Sequence, residues 1–266
     1  MDKDEIYRAL EGEFAATFIK ELIPGILHNF ANPLNGIMGR SKLLQRRIDE
    51  NVKKMEELYP DAAAGMMEEL QRIKTDIRAV SQESEFFFEM FRDVAGKFYA
   101  LATKGDDHIN ISQLLAAEMR FANFYLDFKH EIKKDIQLDK DMPDFKGCMA
   151  DLSMAFWRII RFSMARALAS RLKEFYIKTE HDNKYISVFI KSSGDALPPA
   201  EITALMDNLN ADSLNASGAV NDQGVLLSLM LFNKYQARIN IFSEENFTII
   251  SIGLPYRVEK TKKREI

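Results

Sequence analysis

Cysteine is almost absent from this 266-residue chain: Cys148 stands alone, which excludes an intramolecular disulfide and the stapled scaffold of small secreted domains. Histidine is scarce too, with four residues scattered along the chain, so no Cys/His zinc site is spelled out. No uninterrupted apolar run reaches the roughly 18 residues that cross a bilayer, and no membrane insertion is expected. An excess of one charge is lacking as well, since Lys+Arg 36 against Asp+Glu 40 leave a net charge of -4. That balance gives no general pull towards a phosphate backbone, so nucleic acid is not an expected partner. The opening residues Met1, Asp2, Lys3, Asp4 and Glu5 are acidic where a secretory signal is basic and then apolar, which points to a cytoplasmic protein. What remains is the composition of a folding globular chain, 47% hydrophobic and 29% charged, at a length that suits two domains.

From Ile23 to Met55 apolar residues return every three or four positions, at Ile23, Leu27, Phe30, Leu34, Ile37, Leu44 and Ile48, with Ser41 in the same register. This spacing predicts a long helix. Pro60 and Asp61 predict a turn. A second stripe, Met66, Leu70, Ile73, Ile77, Val80, Ser84, Phe87, Phe91, Val94, Phe98 and Leu101, alternates steps of four and three like a coiled-coil seam. A lone hairpin leaves part of both stripes wet, and Phe86, Phe88 and Met90 widen the second. A second copy is therefore the expected partner, and a homodimeric four-helix bundle the expected form. Ile6, Leu10, Phe14 and Phe18 offer an alternative, a short helix that closes a monomeric bundle.

Thr103 to His108 is a run of polar turn-formers and marks the expected boundary. It gives domains over residues 1–105 and 109–257 and a basic tail over 258–266. The second domain predicts a helix from Ser112 to Leu126, a strand from Glu131 to Leu138 and a mostly apolar helix from Asp151 to Leu172. Strands over Phe175 to Thr179 and Tyr185 to Lys191 follow, then a short helix after Pro198 and Pro199. A polar stretch from Asn208 to Gln223, a helix from Val225 to Tyr235 and strands over Arg238 to Ser243 and Thr248 to Gly253 complete the pattern. The sum is an α+β sandwich with helices on one sheet face. The Phe86–Phe88 cluster and Trp157 read as core packing, and His108, His130 and His181 have no spaced partner for a metal.

The segment richest in chemistry is Leu27-His28-Asn29-Phe30-Ala31-Asn32-Pro33-Leu34-Asn35-Gly36-Ile37. His28 falls one step off the apolar stripe and so faces outward, with Asn32 and Asn35 on the same face. Pro33 has no N–H, which leaves the Asn29 carbonyl without its helical donor, a defect of about 3 kcal/mol in a helix interior. Gly36 and Gly39 each cost roughly 1 kcal/mol relative to Ala and would let another protein approach the backbone. Asn35, Gly36 and Gly39 are therefore expected to contact a partner.

His28 through Leu34 resembles the phosphoacceptor box of sensor histidine kinases, a His followed by an acid or amide, then Thr or Asn, Pro and Leu. The resemblance covers almost the whole chain. It implies a dimerisation and histidine-phosphotransfer hairpin followed, over Ile111 to about Tyr256, by an ATP-binding domain of the gyrase, chaperone and histidine kinase type. It implies that His28 accepts a phosphoryl group and exchanges it with an Asp of a response-regulator receiver domain. The residue after the family's His is commonly Glu or Asp; here it is Asn29, an amide that orients the ring but cannot act as a general base near neutral pH. Asn32 keeps the amide with which the family positions a water for receiver dephosphorylation.

The family's nucleotide site is compared at three places. The two Asn that hold Mg²⁺ and phosphates correspond to Arg161 and Ala165, and Mg²⁺ needs oxygen donors. The Asp-x-Gly-x-Gly turn that anchors adenine reads Ser192-Ser193-Gly194-Asp195-Ala196. The Gly-x-Gly cradle reads Gly224-Val225-Leu226, with one glycine where backbone approach to an anion wants two. The expectation is a pseudo-histidine kinase or histidine phosphotransferase that binds neither ATP nor Mg²⁺. The alternatives are an ATP-dependent kinase with an atypical pocket, which predicts self-phosphorylation, and a non-enzymatic scaffold, which predicts that His28→Ala is silent.

Overall fold

The apolar stripes of the first hundred residues become two long helices, α1 (Ile23–Leu58) and α2 (Pro60–Ala102). The computed structural model describes residues 23–103, 105–210 and 223–256, without the side chains of 23–26, 28–29, 62–65, 102, 208, 210 and 223. The expected helix through Ile6 and Phe18, most of the stretch between Asn208 and Gln223 and the tail over 258–266 lie outside the described residues. Pro60 does not sit in a turn as expected; it opens α2, because a missing N–H is harmless at the first helical position. Lys42 pairs with Glu85 at 2.7 Å and Lys74 with Asp49 at 2.5 Å, which sets the helices antiparallel.

Burial divides each seam in two. Leu27, Leu34 and Ser41, at intervals of seven, are buried, and so are Ser81, Ser84 and Ala95 on α2. The alternate members are not: Phe30 is 55% exposed, Val80 50%, and Ile37, Leu44, Ile73 and Phe87 are exposed with them. One neighbouring helix thus covers half of each stripe.

The chain's contacts divide it into Met1–Phe98 and Tyr99–Ile266. The second unit opens with β1 (Asp106–Asn110), antiparallel to β3 (Asp144–Cys148) in a two-stranded sheet with Ile109 opposite Phe145. Residues 106–108 were expected in a polar turn; backbone pairing outweighs their poor strand propensity. α3 (Ile111–Ala122) is capped by the Asn110 side chain, which accepts from the Gln113 amide at 3.0 Å. The single helix expected from Ser112 to Leu126 ends at Ala122, and α4 (Leu126–Glu131) starts after an extended Tyr125.

The main sheet has the order β2-β4-β5-β7-β6. β2 (Lys133–Gln137) is parallel to β4 (Glu174–His181), while β5 (Tyr185–Ser193), β7 (Phe247–Pro255) and β6 (Arg238–Glu244) continue antiparallel. Alternation sorts the strands: Phe175, Ile177, Ile186, Val188, Ile190, Ile250 and Ile252 are buried, whereas Tyr176, Phe189 and Ile249 are only half-buried. α5 (Met149–Ala169) supplies Phe156, Ile159, Ile160 and Met164 to the same core, and α7 (Gln223–Lys234) adds Leu229 and Phe232. The Phe156 and Phe232 rings meet tilted by 60°, with centroids 4.7 Å apart. Each such side chain contributes about 1.5–3 kcal/mol by leaving water. α6 (Pro199–Asn210) adds Leu205. No helix among the described residues is long and apolar enough to cross a membrane.

Candidate functional site

α1 runs through Pro33 without a break. At 100° per residue this puts position 28 on one face with positions 32, 35 and 39, and position 36 beside them. The side chains of His28 and Asn29 lie outside the described set. Their helical neighbours define the surface: Leu27 and Leu34 are buried on the α2 side, while Asn32, Pro33, Asn35, Gly36 and Gly39 are exposed. A Cβ at Gly36 or Gly39 would meet no atom within 4 Å. Among the described residues neither glycine is demanded by packing, so the two leave an open lane down the helix.

In the second unit α5 crosses behind two glycine-bearing segments and presents Arg158, Phe162 and Arg166 to them, spaced by four. An added Cβ on Gly224, in the first turn of α7, would lie 2.2 Å from Arg158 Nε. At the end of β5, Gly194 has φ +146 and a Cβ there would stand 3.3 Å from the Arg166 carbonyl. The Arg166 guanidinium donates to the Asp195 carbonyl and, at 3.0 Å, to Thr248 Oγ1, and its Nε is buried without a partner. Burial pulls the Arg166 value down, opposed by Glu201 and Asp195.

The other positions singled out from the sequence fall around these arginines. Arg161 does not face the glycines: its guanidinium lies 4.1 Å over the Tyr125 ring, on the α3 side. Arg158 and Phe162, three residues before Arg161 and Ala165 respectively, hold the positions next to Gly224 and the core. Ala165 is exposed and lines, with Arg166, Arg171, Gly194 and Asp195, an open groove of about 840 Å³. Ser192 is buried with no hydrogen-bond partner for its Oγ, Ala196 is exposed, and Leu226 belongs to the core. Beneath them Phe162, Leu197, Glu201, Leu205, Val225, Ile241 and Ile250 enclose only about 10 Å³, close to the space one water needs. Guanidinium and phenyl groups offer no oxygen to a divalent cation. Among the described residues no three His, Cys, Asp or Glu stand together as a metal site. Residues that make ligand approach possible in a phosphate cradle here face the protein's own arginines, an arrangement that motif matching alone did not reveal.

No protein-family model and no curated protein matches the chain. Solved structures do resemble it. The nucleotide-free catalytic domain of the histidine kinase ThkA aligns at 11% identity and TM-score 0.48, over 59% of this chain and 100% of its own. The mycobacterial sensor histidine kinase MprB aligns at 15% and 0.45, over 58% and 100%. The Acinetobacter baumannii histidine kinase AdeS aligns at 10% and 0.42, over 79% and 95%. These neighbours are histidine kinases and their catalytic domains, and no residue role in this chain follows from likeness at that level.

Proposed function

We propose that this chain is a two-component signalling protein of the histidine kinase type that carries a phosphoryl group on His28 and exchanges it with an Asp of receiver domains. The observation that carries the reading is the unbroken helix through Pro33, which sets position 28 in line with exposed Asn32, Asn35 and Gly39 and opposite the buried Leu27 and Leu34. In the exchange an imidazole nitrogen attacks the phosphorus of the acyl phosphate, the N–P bond forms as the O–P bond breaks, and the Asp carboxylate leaves. The ring proton passes to solvent, and the receiver brings its own Mg²⁺ and acceptor. Asn29 orients the ring without taking a proton.

The half-open seams favour a homodimer, in which Phe30, Ile37 and Leu44 meet Ile73, Val80 and Phe87 of a second copy as a four-helix bundle. The second unit is read as a degenerate nucleotide domain. Arg158 fills the space over Gly224, Arg166 spans the turn at Gly194, and the cavity beneath, apolar but for Glu201, has almost no room left in it. The experiment incubates the protein with labelled ATP alone and, separately, with a labelled phospho-receiver. Label is expected on the protein only in the second case and is lost in His28→Ala; label from ATP alone refutes the degenerate-domain reading.

A further inference from the structure

One face of the second unit has the make-up of an interface. α3 and the turn after it contribute Arg120, Phe121, Phe124 and Tyr125; α5 contributes Met154, Trp157 and Arg161, which share a face by their steps of three and four. The rings interlock. Phe121 meets Trp157 edge-on at 5.0 Å, Phe124 stands 5.8 Å from Phe121, and Tyr125 lies 6.0 Å from Trp157 beneath the Arg161 guanidinium. Trp157 rests on the core by one side only, and around it Phe124, Tyr125, Leu126 and Met154 are exposed, Leu126 at 66%. Trp157 packs against the core as expected and also joins a half-open aromatic cluster.

We propose that this face docks an acidic segment of a partner protein, with an apolar side chain seated among Phe124, Tyr125 and Trp157 and carboxylates drawn to Arg120 and Arg161. Trp, Tyr and Arg are the residues that dominate binding energy at interfaces. The charge decides the kind of partner. Arg161 lies over the Tyr125 ring and Arg120 is exposed in the last turn of α3, so an acidic segment is attracted, whereas a second copy on a two-fold axis brings like charge against like. The Arg161 charge sits over a ring rather than against a carboxylate, which holds the guanidinium in place without neutralising it.

Trp157 is the single tryptophan of the chain, so its emission reports on this face alone. The full-length protein is titrated with a synthetic peptide that carries Leu and Phe between Asp and Glu residues, and with a counterpart in which Lys replaces every acid. A saturable change in emission with the acidic peptide is expected, about tenfold weaker in Arg161→Glu and in high salt and little affected by the basic peptide. Arg161→Gln, which keeps the size of the side chain, is expected to fall between, and circular dichroism checks that both variants fold. Equal response to the two peptides, or none to the acidic one, overturns the proposal. So does an emission change that tracks protein concentration alone and vanishes in Arg161→Glu, since the occupant is then a second copy.

Discussion

Glycine separates into two kinds in this chain, and the difference is measurable residue by residue. A Cβ at Gly147 would stand 2.9 Å from Phe145 Cε1 and 3.2 Å from Tyr235 Cε1, between rings that pack edge-on at 5.6 Å. Gly147→Ala is expected to lower stability by about 1–3 kcal/mol, read from denaturant midpoints. Gly36→Ala and Gly39→Ala meet open space and are expected to raise stability by about 1 kcal/mol each, while they slow phosphoryl exchange with a receiver. Faster exchange in those variants removes the glycines from the docking surface. Charge gives a second test. The Asp139 carboxyl is held below the usual carboxylate range, first by its hydrogen bond with His181 at 2.6 Å and then by the Asp141 amide at 2.9 Å. A depressed folded value means that the stabilisation is complete above the unfolded value near pH 4 and is lost as pH falls through the lower folded one. Asp139→Asn is therefore expected to be less stable than wild type near neutral pH and to converge with it once the pH has fallen below the depressed folded value. At this scale the exposure of Asn32, Asn35, Gly36 and Gly39 was legible because they fall off a clean helical stripe. The arginines were not. α5 buries residues around most of its circumference, from Ala150 and Leu152 through Phe156, Ile160 and Met164, so periodicity cannot say which of Arg158, Arg161 and Arg166 looks towards the glycines.

At the scale of elements, long periodic segments were readable and short polar ones were not. The hairpin stripes and the alternating strands β4, β5, β6 and β7 follow the sequence closely, since burying one face of each element dominates the energetics. β1 has the sequence Asp-Asp-His-Ile-Asn, which carries no alternation, and it exists because β3 pairs with it. The turn that separates α3 from α4 falls in an apolar run whose residues Phe124 to Leu126 point outward instead of continuing the helix. The hairpin itself yields the next expectation. Val80→Glu and Ile37→Glu place charge on the exposed half of each seam and leave Leu27, Leu34 and Ala95 in place. Each is expected to convert a dimer to a monomer in sedimentation while helical circular dichroism persists; a dimer that survives both assigns the contact to another surface.

For the whole molecule, the two units hold themselves together by different means. The second has a continuous core of more than thirty buried apolar residues, whereas the described hairpin buries a small cluster of Leu27 and Ala95 backed by Phe91 and Phe98. A dimeric hairpin gains the rest from its partner, so its melting temperature should rise with protein concentration while that of the sheet unit stays constant. Two calorimetric transitions are expected, with only one sensitive to dilution; if both respond alike, the units do not melt independently.

The parallel pairing of β2 with β4 has a further consequence in time. Residues 133–137 align with 174–178 only after β3 and α5 have been threaded between them, and no hairpin turn can zip that seam. Loop closure of this kind is slow, while a helical hairpin forms from near neighbours along the chain. On a ribosome α1 and α2 emerge before β4, so a hairpin that pairs with a second copy would be free to do so while β4 is still unmade. Chains growing side by side on one message therefore have the opportunity to pair through their helices before either sheet is finished.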